Sequence, residues 1–222
     1  MSNALIQSGF ITEAVRYINK SLEYNPDNLY SEYVKAFILY ARDRDLQKTK
    51  TMLIDALERD TSRFDILQEV AKICYYMRDY EEAYKYYRRF IDIKEAYNLD
   101  MYNSENAKIG VVLSKMGQTE ESEKYFNLYK DYAENDKSVY HDIGLSLYYS
   151  FHGDTAEAIR YLRSFSQEDN YFYWTLLFTD IDPLVDNIKD LPEYKALLTE
   201  IETRFWEKHA ATRTEFEKKD LL

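Results

Sequence analysis

The chain has 222 residues, 45% of them hydrophobic, enough to bury a substantial core in one or two compact domains. Only five glycines and three prolines occur, so the turn chemistry of many short strands is missing and long helices joined by short turns are expected. Lys and Arg number 29 against 40 Asp and Glu, and the formal charge of −11 excludes a phosphate-tracking surface as the main function, so no nucleic-acid partner is expected for this region.

From the amino terminus onward one phrase recurs: a turn residue, a polar or acidic pair, then a small residue on an apolar helical face. Its copies are Gly9-Phe10-Ile11-Thr12-Glu13-Ala14, Arg44-Asp45-Leu46-Gln47-Lys48-Thr49, Arg78-Asp79-Tyr80-Glu81-Glu82-Ala83, Gly117-Gln118-Thr119-Glu120-Glu121-Ser122 and Gly153-Asp154-Thr155-Ala156-Glu157-Ala158. The small residues are separated by 35, 34, 39 and 36 positions, which is the period of a helix-turn-helix repeat unit. Each phrase opens the second helix of a unit, with apolar residues at i, i+4 and i+7, as in Ala83, Tyr87 and Phe90 or Ala158, Leu162 and Phe165. Upstream of each turn lies the first helix, as in Ile109 to Gly117 and Leu145 to Gly153.

Small residues at Ala71, Gly110 and Ser146 let the two helices of a unit cross closely, while Ala14, Ala83, Ser122 and Ala158 are expected to admit the next unit. The one long interval predicts a longer second helix or loop between Phe90 and Tyr102. After Trp174 the sixth first helix is cut short by Asp182-Pro183, because proline cannot donate within a helix interior. Leu191-Pro192 starts a final helix, whose stripe of Tyr194, Leu197, Leu198, Ile201 and Phe205 is expected to cap the core before the pattern turns polar at Glu207. The expected organisation is repeats over 1–181, about five units plus partial ones, and a capping helix with a polar extension over 182–222. The pattern opens in mid-unit, so the chain reads as a piece of a longer protein, with Leu5, Ile6, Ile11 and Ile18 exposed at the amino end and open to self-association.

These phrases resemble the tetratricopeptide repeat, whose pattern of an aromatic, Leu-Gly, Tyr, Gly-Asp-Tyr, Ala, Phe and a closing Asp-Pro is matched best in Leu22-Glu23-Tyr24-Asn25-Pro26-Asp27-Asn28, in Tyr33 to Leu46 and in Trp174-x-x-Leu177. The repeat-defining positions are Gly9, Ala14, Pro26, Ala71, Ala83, Gly110, Gly117, Ser146, Gly153 and Ala158. Phe37 and Phe178 stand where a small residue is expected and Thr49 replaces the alanine, so irregular packing is expected in the second unit and in the last first helix. The resemblance implies an all-α fold, a right-handed superhelical solenoid of antiparallel helix pairs with a C-terminal capping helix. It further implies a concave groove, lined by the first helices, that holds a protein or peptide partner. The Asp-Pro-Leu and Leu-Pro-Glu-Tyr segments after the repeats are similar to the ends of repeat regions in multidomain bacterial regulators.

Residues one turn either side of the small position of each first helix are the groove candidates. They are Val34, Ile38 and Ala41, then Gln68, Lys72, Tyr75 and Tyr76, then Ala107, Val111 and Ser114, then Ile143, Leu147 and Ser150. Twenty-three tyrosines stand out in the composition, read first as packing and second as a tyrosine-lined binding surface. Members of the family that hold a terminal carboxylate use a Lys-x-x-x-Asn pair on the first helix, and no unit here has it.

No catalytic, cofactor or metal site is expected. His141 and His152 lie eleven residues apart, about 16 Å along a helix and too far for one metal. Adjacent carboxylates such as Glu81-Glu82 and Glu120-Glu121 do not face each other on a helix, and no glycine-rich phosphate loop occurs. Cys74, the one cysteine, has no neighbouring histidine and reads as a buried structural thiol. A single cysteine, with no run of about 18 apolar residues, points to a cytoplasmic chain that does not insert in a membrane. The chain therefore reads as a non-catalytic interaction module or scaffold. The alternative is a sensory or regulatory domain of a larger signalling or transcription-regulating protein.

Overall fold

The computed structural model describes residues 1–219, and among them it is all-helical, with twelve α-helices and no strand. In order these are α1 (Ser2–Gln7), α2 (Ile11–Tyr24), α3 (Leu29–Asp43), α4 (Leu46–Arg59), α5 (Phe64–Tyr76), α6 (Tyr80–Ala96), α7 (Asn106–Lys115), α8 (Thr119–Asn135), α9 (His141–Phe151), α10 (Thr155–Phe165), α11 (Trp174–Phe178) and α12 (Pro192–Lys218). The chain forms two compact units, residues 1–6 with 10–126, and residues 7–9 with 127 onward. That division falls inside α8, and the expected boundary at 181 lies within the second unit.

The recurring phrase builds one recurring turn. Gly9, Arg44, Arg78, Gly117 and Gly153 all adopt the left-handed conformation, with φ between 56° and 81°. At the turn into α6 the Arg78 N–H donates to the Tyr75 carbonyl (2.9 Å) and the Asp79 N–H to the Cys74 carbonyl (3.0 Å). The same two bonds close the turns at Gly117 and Gly153, and they satisfy carbonyls that the end of a helix leaves open. The next residue caps the following helix: Asp45 accepts from the Lys48 N–H at 2.8 Å, Asp79 from that of Glu82 at 3.3 Å and Asp154 from that of Glu157 at 3.2 Å.

In the first unit the pairs α3 with α4 and α5 with α6 pack closely. Ala83, Tyr87 and Phe90 are buried along one face of α6, as their spacing predicts. Gly110 of α7 meets the Phe126 ring of α8, where a Cβ would stand 2.8 Å from a ring carbon. The long interval is taken up in both expected ways: α6 has 17 residues against 14 in α4, and the chain from Tyr97 to Tyr102 follows before α7. Leu5, Ile6 and Ile18 are buried, which corrects the expectation of an exposed apolar amino end.

The second unit holds the close pair α9 with α10, followed by a short α11, two 3-10 turns and α12. Pro192 opens α12 at its first turn, and Tyr194, Leu197, Ile201 and Phe205 are buried along it. The truncated region before α12 is held by aromatics. Tyr171 donates to the Ile201 carbonyl at 2.6 Å, Tyr173 stacks on Phe205 with ring centres 5.5 Å apart, and Tyr171 meets Phe165 at 5.0 Å. Residues 7–9 belong here too: the Tyr173 N–H donates to the Gln7 carbonyl at 2.8 Å, and Gly9 lies against Phe205, Trp206 and His209.

One detail of the crossings differs from expectation. The Ser122 hydroxyl donates to the Gly110 carbonyl and the Ser146 hydroxyl to the Ala158 carbonyl, each at 2.8 Å. The small residue of the second helix therefore faces the first helix of its own unit at both places.

Candidate functional site

Most of the groove candidates are part of the core. Val34, Ile38, Ala41, Gln68, Tyr75, Tyr76, Ala107, Val111, Ile143 and Ser150 are buried, Lys72 and Leu147 are half-buried and Ser114 is exposed. The physical reason is the width of the buried stripe on a first helix. Positions one turn from the small residue are themselves shielded from water, so the accessible surface starts further round the helix. Tyr75 makes the point, since it is fully buried with its ring centre 5.3 Å from that of Tyr76.

The first unit brings Gln68 and Lys72 together with residues that sequence reasoning passed over. Lys72 Nζ lies 2.6 Å from Glu69 Oε2 and 5.8 Å from the centre of the Phe37 ring. Tyr33 of α3 donates to Glu69 Oε1 at 3.4 Å. Just before α7, Glu105 accepts from the buried Tyr87 hydroxyl at 3.0 Å and pairs with Lys108 Nζ at 3.3 Å. Two carboxylates and two ammonium groups thus form a polar seam across α5 and α7. Burial lifts the Glu69 carboxyl above its ordinary range, against the pull of Lys72. Burial also acts on Lys72 and Glu105, but there the neighbours win: Glu69 and Glu105 hold Lys72 above its usual value, and Lys108 and Lys72 hold Glu105 below its own.

Aromatic side chains lie against the seam. Tyr30, Tyr33 and Phe37 follow one another along α3, with ring centres 6.0 and 5.5 Å apart. Tyr102 comes from the lengthened segment, in a left-handed conformation with φ of 57°, and its ring meets Phe64 edge-on at 5.4 Å. A bulky residue with positive φ is costly and persists only where its surroundings hold it. Tyr30 is 53% exposed and Tyr102 36%. Beside them the Arg63 and Asp65 side chains pair at 2.7 Å.

A readable signal for the seam existed. Glu69-Val70-Ala71-Lys72 and Glu105-Asn106-Ala107-Lys108 are the same Glu-x-Ala-Lys phrase. Counted from the left-handed turn, Glu69 and Lys108 hold the same place, nine residues before Arg78 and Gly117. Acid thus meets base on successive first helices. Cys74 is buried, and burial pushes its thiol up to about 11; His141 and His152 lie at opposite ends of α9.

Residues 64–97, which contribute α5 and α6, match the family model described as "Tetratricopeptide repeat". This segment is a tetratricopeptide repeat. None of the curated proteins matches the chain. Among solved structures, the one titled "Functional Characterization of Pseudomonas Aeruginosa pilF" is similar at 17% identity, covering 95% of this chain and 94% of that one with a TM-score of 0.49. The crystal structure of MamA is similar at 16% identity, covering 72% of this chain and 90% of that one with a TM-score of 0.47. No helix among the described residues is long and apolar enough to cross a membrane.

Proposed function

We propose that the chain is a non-catalytic scaffold that holds a partner protein through an extended segment laid across the first helices of the first unit. The tetratricopeptide repeat at 64–97 supports a role in protein interaction in general. The observation that supports the specific site is the polar seam of Glu69, Lys72, Glu105 and Lys108, with the exposed Tyr30 beside its Tyr33 partner and the exposed Tyr102 within the electrostatic reach of Glu69 and Lys72. Buried ion pairs add little to stability over an apolar core, and exposed tyrosines beside desolvated polar groups are the usual composition of an interaction hot spot.

The reading is tested by affinity capture from a lysate of the source cell, using the wild type and a Tyr30→Ala, Tyr102→Ala double variant. The expected result is a partner retained by the wild type and depleted at least tenfold with the variant, whose circular dichroism is unchanged. Equal retention by both would remove the Tyr30 and Tyr102 surface as the binding site. Substituting Tyr75 would answer a different question, because that ring is core.

A further inference from the structure

Independently of the reading above, we infer that the second unit carries a docking face of its own, on α11 and the start of α9, for a partner segment that combines apolar side chains with lysine or arginine. Tyr173 and Leu177, four residues apart, are buried on the inner side of α11. The helical turn then sets Phe172 and Leu176 on one flank, Trp174 and Phe178 on the other, and Thr175 between the two. Phe172 belongs to this turn, because the Thr175 N–H donates to its carbonyl at 2.9 Å. Its side chain is 46% exposed, and Trp174, Thr175, Leu176 and Phe178 are half-buried. The outward arc of α11 is therefore apolar apart from one hydroxyl.

Tyr140, at the start of α9, extends this face and fixes it. Its hydroxyl accepts from the Phe172 N–H at 2.8 Å, Thr175 hydrogen-bonds to it as well, and its ring centre lies 6.2 Å from that of Phe172. The backbone of Phe172 is thus tied down while its ring stays in water. A large ring held in place before a partner arrives has little ordering left to lose on binding, which is the character of an interface anchor.

Charge decides what kind of partner fits. No Lys or Arg occurs in residues 138–159 or 164–188, which contain all of α9 and α11, although the whole chain has 29. The same stretches supply Asp142, Asp169, Asp180 and Asp186. Asp169 and Asp186 are met by Lys208 and Lys189 from outside them. Asp180 is exposed, two residues beyond Phe178, and has no ion-pair partner among the described residues. A cation arriving with an apolar side chain finds a carboxylate at the end of the arc. An acidic segment, an anionic lipid surface or a second copy of this chain, at a charge of −11, meets like charge instead.

The test is fluorescence anisotropy of a labelled amphipathic peptide of leucine and lysine, and of its leucine and glutamate counterpart, titrated with the full chain at physiological ionic strength. Binding of the lysine peptide alone, weakened about tenfold by Phe172→Ala and about threefold by Asp180→Lys, supports the inference. Both positions are exposed, and Phe172→Ala keeps the N–H that Tyr140 accepts, so circular dichroism should be unchanged. If Phe172→Ala nevertheless fails to fold, Asp180→Lys carries the same expectation of loss. An affinity that neither substitution changes means that the peptide sits elsewhere on an acidic surface, and it overturns the inference. Equal binding of the glutamate peptide, or binding of neither, does the same. Loss of affinity in the Tyr30→Ala, Tyr102→Ala double variant, with Phe172→Ala at the wild-type value, places the peptide on the first unit and also overturns it. A dimer seen by sedimentation velocity and dissociated by Phe172→Ala would make a second copy the occupant, which overturns the assignment of a basic partner.

Discussion

The two units are built from the same helix pair, yet they use polarity differently. The first carries 18 Lys and Arg against 21 Asp and Glu, close to balance, and places four of these charges in its buried seam. The second carries 11 against 19, and around its shortened first helix it relies on rings: Phe165, Tyr171, Tyr173, Phe205 and Trp206. A repeat unit can thus fill its first-helix layer with ion pairs or with aromatics.

The largest expected effect that separates the units is Lys72→Met. Removing the ammonium leaves Glu69 without its counter-ion, while Glu105 keeps Lys108, and should destabilise the protein by about 3 kcal/mol. The figure belongs at the low end for a buried pair because Glu69, already lifted by burial, can take up a proton. A urea denaturation midpoint equal to that of the wild type would show that the seam is not desolvated. In the second unit the matching probe is steric. Ala158 is fully buried and its carbonyl accepts from Ser146, so Ala158→Leu should overpack the crossing and cost about 2 kcal/mol by the same measurement.

The smallest expected effect sharpens the comparison at the turns. Arg44 and Arg78 occupy the left-handed place that Gly117 and Gly153 fill without a Cβ penalty. Arg78→Gly should therefore stabilise by up to about 1 kcal/mol, and Gly153→Arg should destabilise by a similar amount. A Cβ at Gly153 would meet nothing within 4 Å, so that change reports backbone strain alone. Melting temperatures moving in the same direction for both substitutions would refute this account of the turn.

Much of the fold was legible because the signals are local. The left-handed turn residue, the Asp cap and the i, i+4, i+7 stripe each act within one unit, so Arg78, Asp79 and Ala83 could be placed from sequence alone. The short α11 and the start of α12 at Pro192 followed from proline chemistry in the same way. The groove was less legible, because it depends on how wide a stripe each first helix buries. Gln68 and Tyr75 share a face with Lys72, and nothing in their spacing tells which of the three reaches water. Tyr102 was hidden for another reason: an irregular segment delivers it, and no helical period governs where it points. The repeated Glu-x-Ala-Lys phrase was in view, but of its four charged residues only Lys72 was singled out.

Serine hydroxyls span two helix crossings. Apolar side chains set a helix crossing by shape, and a hydrogen bond across it adds a directional constraint. Ser146 on the Ala158 carbonyl and Ser122 on the Gly110 carbonyl act as stops, because a shift of one residue, about 1.5 Å along the axis, breaks the bond. The two bonds thus fix the register of α9 on α10 and of α7 on α8.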